Sequence, residues 1–185
     1  MTEYLDICTE EGIPTGNVVE RKIAHSEDIC HRTAHVWVMR KSGDNWQILM
    51  QKRAENKDSF PGCYDTSSAG HIPAGCEPLE SAIRELKEEL GITASEADFE
   101  FAGIFRNHYE RIFYGKPFRD NEVSFVYVYN KPVDKRNLTL QAEELSKVEW
   151  FDLSYVYGEK LRHNEKFCVP IEGLRTLMKY LKIDF

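Results

Sequence analysis

No stretch of this 185-residue chain is apolar for long enough to span a bilayer. The opening Met1-Thr-Glu-Tyr-Leu-Asp6 has neither the basic nor the apolar region of a secretory signal, so no membrane partner is expected and a cytoplasmic location is. Cysteine is sparse and scattered: Cys8, Cys30, Cys63, Cys76 and Cys168 are odd in number and contain no Cys-x-x-Cys pair. They give no basis for a zinc or redox motif and read as reduced, structural thiols. Positive charge is also short. With 24 Lys and Arg against 31 Asp and Glu, the formal net charge is −7, which argues against nucleic-acid binding because counterion release needs clustered basic side chains. No repeat, low-complexity tract or Pro/Gly/Ser-rich linker divides the chain, so residues 1–185 read as one domain.

Hydrophobic residues at 42% and charged residues at 30% lie near the globular balance and supply enough apolar surface for one core. Tyr4–Cys8 and Asn17–Ile23 read as short extended segments around the turn-rich Glu11-Gly-Ile-Pro-Thr-Gly16. Thr33–Arg40 and Trp46–Arg53 read as a hairpin across residues 41–45, with Trp46, Ile48 and Met50 on one face. A loop over 55–63 leads to a short strand and Gly70. The strongest helix spans about Pro78 to Leu90: proline suits the first helical position, Gly91 the position past the end, and Leu79, Ala82, Ile83, Leu86 and Leu90 form one apolar stripe. Strands are predicted at 99–105, 122–129 and 147–151, and helices at 153–161 and 171–181. Hairpins mixed with interleaved helices predict a mixed sheet with helices on both faces.

Glu85 and Glu89 stand one turn apart on a single flank of the helix over 78–90, with Glu88 about 60° beyond Glu85. Carboxylates at these spacings repel one another by a few tenths of a kcal/mol per pair, roughly, so the helix gains nothing from them alone. A bound cation reverses that sign, and oxygen ligands of this kind suit Mg²⁺ or Mn²⁺. The alternative is a solvated acidic face relieved by Arg84 and Lys87.

The stretch Gly70-His-Ile-Pro-Ala-Gly-Cys-Glu-Pro-Leu-Glu-Ser-Ala-Ile-Arg-Glu-Leu-Lys-Glu-Glu-Leu-Gly-Ile92 resembles the Nudix box: Gly, five residues, Glu, seven residues, Arg-Glu, an aliphatic residue, any residue, Glu-Glu, any residue, Gly and an aliphatic residue. Gly70, Arg84, Glu85, Leu86, Glu88, Glu89, Gly91 and Ile92 fall in register, while the first Glu is replaced by Cys76 with Glu77 beside it. The resemblance implies a Nudix fold, an α/β/α sandwich with a central mixed β-sheet, and a hydrolase acting on a small organic diphosphate such as a nucleoside diphosphate derivative. It implies Glu85, Glu88 and Glu89 as metal ligands, Arg84 as their internal ion-pair partner, and Gly70 and Gly91 as structural glycines. A base for the attacking water is expected at Glu122, with Glu143 and Glu144 as alternatives.

Outside the box, His25, Cys30-His31, Gln51-Lys-Arg53, Phe60-Pro-Gly62 and Asp120-Asn-Glu-Val123 resemble the isopentenyl-diphosphate isomerase branch of the family. In that isomerase a Cys-Gly-His sequence supplies the catalytic thiol and a metal-binding His. Here the stretch is Ala69-Gly70-His71, so the thiol is missing, and the complete glutamate set favours an isomerase-like hydrolase over the isomerase. His31 and His71 match metal-ligand positions of the isomerase, and His25 does so across a one-residue gap. In a hydrolase they would line the cleft or pack under the sheet, with His71 and Arg53 the residues expected to contact substrate. The segment 106–119 reads as a long loop in which Arg106, Arg111, Lys116 or Arg119 could pair with phosphate, or which could form a homodimer surface. A nucleotide-binding module without catalysis is the remaining alternative, and the intact glutamates argue against it.

Overall fold

The structure, a computed structural model that describes residues 2–184, comprises β1 (Tyr4–Cys8), β2 (Pro14–Glu20), α1 (Arg21–Glu27), β3 (His31–Ser42), β4 (Asn45–Arg53), β5 (Tyr64–Asp65), β6 (Ser68–His71), α2 (Pro78–Leu90), β7 (Phe99–Phe113), β8 (Lys116–Tyr129), β9 (Leu145–Asp152), α3 (Leu153–Leu161) and α4 (Ile171–Leu181). β1 and β2 form a separate ladder, and β3 to β9 form one mixed sheet. Along one edge of β3 runs β8, parallel, from His31 opposite Glu122 to Val38 opposite Tyr129. The other edge is divided. Thr33–Val36 pairs with β6, whereas Met39–Ser42 pairs with β4.

Where β4 and β6 part, the Val38 amide and the Leu49 carbonyl have no ladder partner. Ser67 serves both: its Oγ accepts from the Val38 amide at 2.8 Å and donates to the Leu49 carbonyl. A buried backbone group left unpaired would cost about 1–3 kcal/mol, so one hydroxyl makes the fork in the sheet tolerable.

Side chains alternate between the two faces of β3. Ala34, Val36 and Val38 pack with Leu49 and Tyr127 against Ala82, Leu86 and Leu90 of α2. On the opposite face Trp37, Ile48, Met50, Val126 and Val128 meet Leu153 and Val156 of α3 and Leu174, Leu177 and Met178 of α4. The result is the expected α/β/α sandwich. Helix α2 keeps its sequence bounds, with Pro78 in its first turn and Gly91 left-handed at φ 71°. A Cβ at Gly91 would lie 2.9 Å from the Thr139 Cβ, so conformation and space both require glycine there.

Two segments depart from the sequence reading. Arg21–Ile23, expected as extended chain, begins α1 instead. The segment 106–119 is not a loop: β7 and β8 continue through it as a hairpin closed by Tyr114 and Gly115, both at positive φ. Its cross-strand pairs are mostly polar or aromatic, including Glu110 with Arg119 and Arg111 with Phe118, with Ile112 opposite Pro117 as the apolar exception. Apolar alternation, the usual signature of a strand, is therefore missing there. Glu122 accordingly lies within β8 rather than at its start.

Leu86 is fully buried between α2 and the sheet. Leu86→Ala should lower unfolding free energy by about 3 kcal/mol, read as a reduced urea midpoint. A loss below about 1 kcal/mol would show that this contact does not hold α2 in place.

Candidate active site

Glycine at position 70 leaves room for a carboxylate. A Cβ there would lie 2.2 Å from the Glu85 Cδ, so the Glu85 side chain occupies the space that any other residue would fill. Arg84 fixes this arrangement, donating from Nη2 to Glu85 Oε1 at 2.6 Å and to the His71 carbonyl at 3.1 Å. Its Nε lies 3.9 Å from Glu88, whose side chain is largely exposed. The ion pair expected inside the box is thus present.

Glu89 reaches past the helix into the fork between β4 and β6. It is buried and accepts hydrogen bonds from the Ala69 amide at 3.1 Å and from Gln51 Nε2 at 3.5 Å. Among the described residues no basic side chain pairs with it. Burial and the nearby Glu85 charge push its carboxyl up to about 8, and burial also raises Glu85. Two carboxylates brought together without a cation between them carry an electrostatic cost that a divalent ion would remove. Their hard oxygen donors fit Mg²⁺ or Mn²⁺.

A second cluster lies on the other face of the sheet. Register places His31, Thr33 and His35 of β3, Glu122 and Ser124 of β8, and Ala69 and His71 of β6 together on that face. His25 joins them from α1. The ligand atoms of His25, His31 and His71 all lie within 4.8 Å of one another, as do those of His31, Asp120 and Glu122. The box glutamates form no such group among the described residues.

Backbone carbonyls set two of the imidazoles. His31 Nδ1 donates to the Ile29 carbonyl at 2.8 Å and His25 Nδ1 to the Arg119 carbonyl at 3.0 Å, leaving each Nε2 as a lone pair. His31 Nε2 is buried without a hydrogen-bond partner, 3.6 Å from Glu122 Oε1. His25 Nε2 faces His71 Nε2 at 3.2 Å. Nitrogen lone pairs converging beside carboxylates, each ring oriented through its other nitrogen, are what a divalent metal requires. Burial raises Glu122 to about 7, and burial together with the Glu122 charge raises Asp120 to about 8. Burial also lowers His25, His31 and His71.

The remaining sequence candidates are placed as follows. Arg53 is committed to its own loop, donating to the Ser59 carbonyl and hydroxyl and standing 3.5 Å from Asp65. His71 faces the histidine cluster and lies 3.7 Å from Glu122. Glu144 is paired with Lys57, and Glu143 is exposed. Arg106 contacts Asn121 and Glu10, Arg119 pairs with Glu110, Arg111 lies over the Phe60 ring, and Lys116 is exposed. Asp120, a possible ligand in this cluster, was not among the residues singled out as ligands from the sequence. Its signal was present, a carboxylate two residues from Glu122 and so on the same strand face.

The NUDIX domain model matches residues 30–167. An uncharacterized Nudix hydrolase of Clostridium acetobutylicum is 37% identical over 188 residues, covering 98% of this chain and 88% of the other. An isopentenyl-diphosphate Delta-isomerase of Cereibacter sphaeroides is 31% identical over 150 residues, covering 80% and 78%. In fold, the chain is similar to the crystal structure of DR0079 from Deinococcus radiodurans, with a TM-score of 0.68 at 17% identity, covering 94% and 98%.

The buried groups make stability depend on pH with a defined sign. Glu89, Asp120 and Glu122 have raised values in the folded chain, so the stability they contribute is complete below their ordinary values of 3.8 to 4.5 and is lost as pH rises toward 7 to 8. The histidines, lowered from 6.5, contribute stability above that value and lose it as pH falls. The trends oppose each other below 6.5, and above it only the carboxylate loss remains. The melting temperature of the metal-free protein should therefore fall between about pH 6.5 and 8, and saturating Mn²⁺ should reverse the fall. A flat profile with no response to metal would contradict uncompensated buried carboxylates.

Proposed function

Because this chain belongs to the Nudix family and is a hydrolase of it, we propose that it cleaves a phosphoanhydride bond in a small organic diphosphate, a nucleoside diphosphate derivative or a related compound. The observation that carries this reading is Glu89: a buried carboxylate beside Glu85, with no basic partner among the described residues. Such a pair gains most from Mg²⁺ or Mn²⁺. Glu85 and Glu89 would hold the ion, with Glu88 at the solvent side, and the cation would neutralise charge developing on the phosphoryl oxygens.

The chain's own groups supply the rest. Arg84 keeps the Glu85 carboxylate directed at Gly70, so the ligand is positioned before substrate arrives. Of the carboxylates considered for accepting the water proton, Glu144 is occupied by Lys57, whereas Glu122 receives the Thr33 hydroxyl at 3.4 Å and has its carboxyl raised to about 7. A value near working pH suits a base, but Glu122 stands on the histidine face of the sheet, across from Glu85, which would leave a glutamate of α2 to accept the proton from a water at that ion. His25, His31, His71, Asp120 and Glu122 would offer a further divalent cation a site, with Glu122 among its ligands.

The histidine cluster also favours a second reading, alkene isomerisation of a diphosphate such as that named for the Cereibacter relative. Position 69 weighs against it. Ala69 shares a strand face with His71, so its methyl group stands beside the cluster where a proton-carrying side chain would be needed.

The purified protein should be screened with Mg²⁺ and Mn²⁺ against nucleoside di- and triphosphates, nucleotide sugars, dinucleoside polyphosphates, thiamine diphosphate and isopentenyl diphosphate. Metal-dependent release of a monophosphate is expected, and Glu89→Gln should reduce it by about two orders of magnitude or more. Turnover unchanged in that variant would overturn the assignment. Isomerised isopentenyl diphosphate without phosphate release would establish the second reading.

A further inference from the structure

Cys8 and Cys30 lie 22 residues apart, yet their Sγ atoms are 3.6 Å apart. The Cys8 amide also donates to the Cys30 carbonyl at 3.0 Å. That backbone bond sets the two residues at the separation of neighbouring strands, within the span of a disulfide. Cys8 is buried at the end of β1. Cys30 is partly exposed in the link between α1 and β3, immediately before His31.

We propose that Cys8 and Cys30 form a reversible disulfide, a redox modification site that fastens the segment carrying His25 to the residue beside His31. Hydrogen peroxide would supply the oxidant. Attack by the Cys30 sulfur breaks the O–O bond and leaves a sulfenic acid and one water. The Cys8 sulfur then attacks the Cys30 sulfur, the S–O bond breaks, and the departing hydroxide takes the Cys8 proton as a second water. Two electrons pass from the two thiols to the peroxide, and a small thiol such as glutathione reverses the step by exchange.

The closed loop contains β2 and α1. This segment is held by only a small core, in which its Val19, Ala24 and Ile29 pack with Leu5 and Ile7 of β1. α1 delivers His25 to the cluster, so its anchorage decides whether the third imidazole stays in place. A covalent link across a loop of this length removes conformations mainly from the unfolded chain.

The test uses the full-length protein titrated with hydrogen peroxide, followed by alkylation of free thiols, intact mass and tryptic mapping. Cleavage at Arg21 and Lys22 separates the two cysteines. Loss of two hydrogen atoms, a linked Cys8–Cys30 peptide, reversal by dithiothreitol and a melting temperature raised by about 5 °C are expected. Cys30→Ser should leave Cys8 alkylatable and remove the thermal shift. The proposal is overturned if Cys8 and Cys30 stay separately alkylatable at every dose, if Cys30 proceeds to sulfinic acid, if oxidation links only Cys63, Cys76 or Cys168, or if the bond forms without thermal effect.

Discussion

The structure depends on the way one edge of β3 is shared between two strands. β6 takes its first half and β4 its second, and the sheet can open there only because Ser67 satisfies the backbone groups at the point of divergence. The gap that results is the access through which Glu89, rooted in α2, reaches the Ala69 amide on β6 and Gln51 on β4. Were β4 and β6 joined along their length, that amide would pair with a strand and the carboxylate would have no place in the sheet. A backbone irregularity therefore creates the space, and a hydroxyl keeps its cost small.

β6 is also what separates the two clusters. Its alternation sends Gly70 toward α2 and Ala69 and His71 toward the opposite face. A few residues thus place Glu85 on one side and the histidine cluster on the other. Both sides bear the same kind of cost: burial raises the carboxylates and lowers the imidazoles, so each group is held in the environment least suited to its charge. Natural structures keep such arrangements where a ligand compensates them. In a chain of formal charge −7 that, as proposed, approaches anionic phosphates, divalent cations would be the compensation that serves both the protein and the substrate.

Much of this was legible in the sequence, for identifiable reasons. α2 was readable because its stripe, its proline and its glycine all specify one helix, and Arg84 and Glu85 were readable because neighbours on a helix meet by local geometry. The β7–β8 hairpin was not, since its far half exposes polar and aromatic residues on both faces and carries no apolar alternation. The histidine cluster is non-local by nature, and only the family resemblance, not spacing, pointed to His25, His31 and His71 together. His25, His31, His71 and Glu122 come from four elements, and only the parallel register of β3 on β8 shows that His31 stands opposite Glu122. The contact between Cys8 and Cys30 was hidden altogether, because pairing across the chain leaves no trace in spacing.

The division of labour between the two clusters bears on how one fold could host two chemistries. Hydrolysis needs charge neutralisation at phosphate, which, in the proposed reading, the α2 glutamates would arrange without any group on the histidine face. Proton transfer to an alkene carbon needs an acid and a base on opposite sides of the substrate, and on the histidine face that requires a proton carrier at position 69. Here Ala69 presents a methyl group, while Glu85, Glu88 and Glu89 are all retained. Losing a thiol leaves the metal-binding groups intact, whereas losing a glutamate would remove the ion that phosphate chemistry requires. Ala69 therefore weighs toward the proposed hydrolysis, and the histidine face would remain as a second place for a cation.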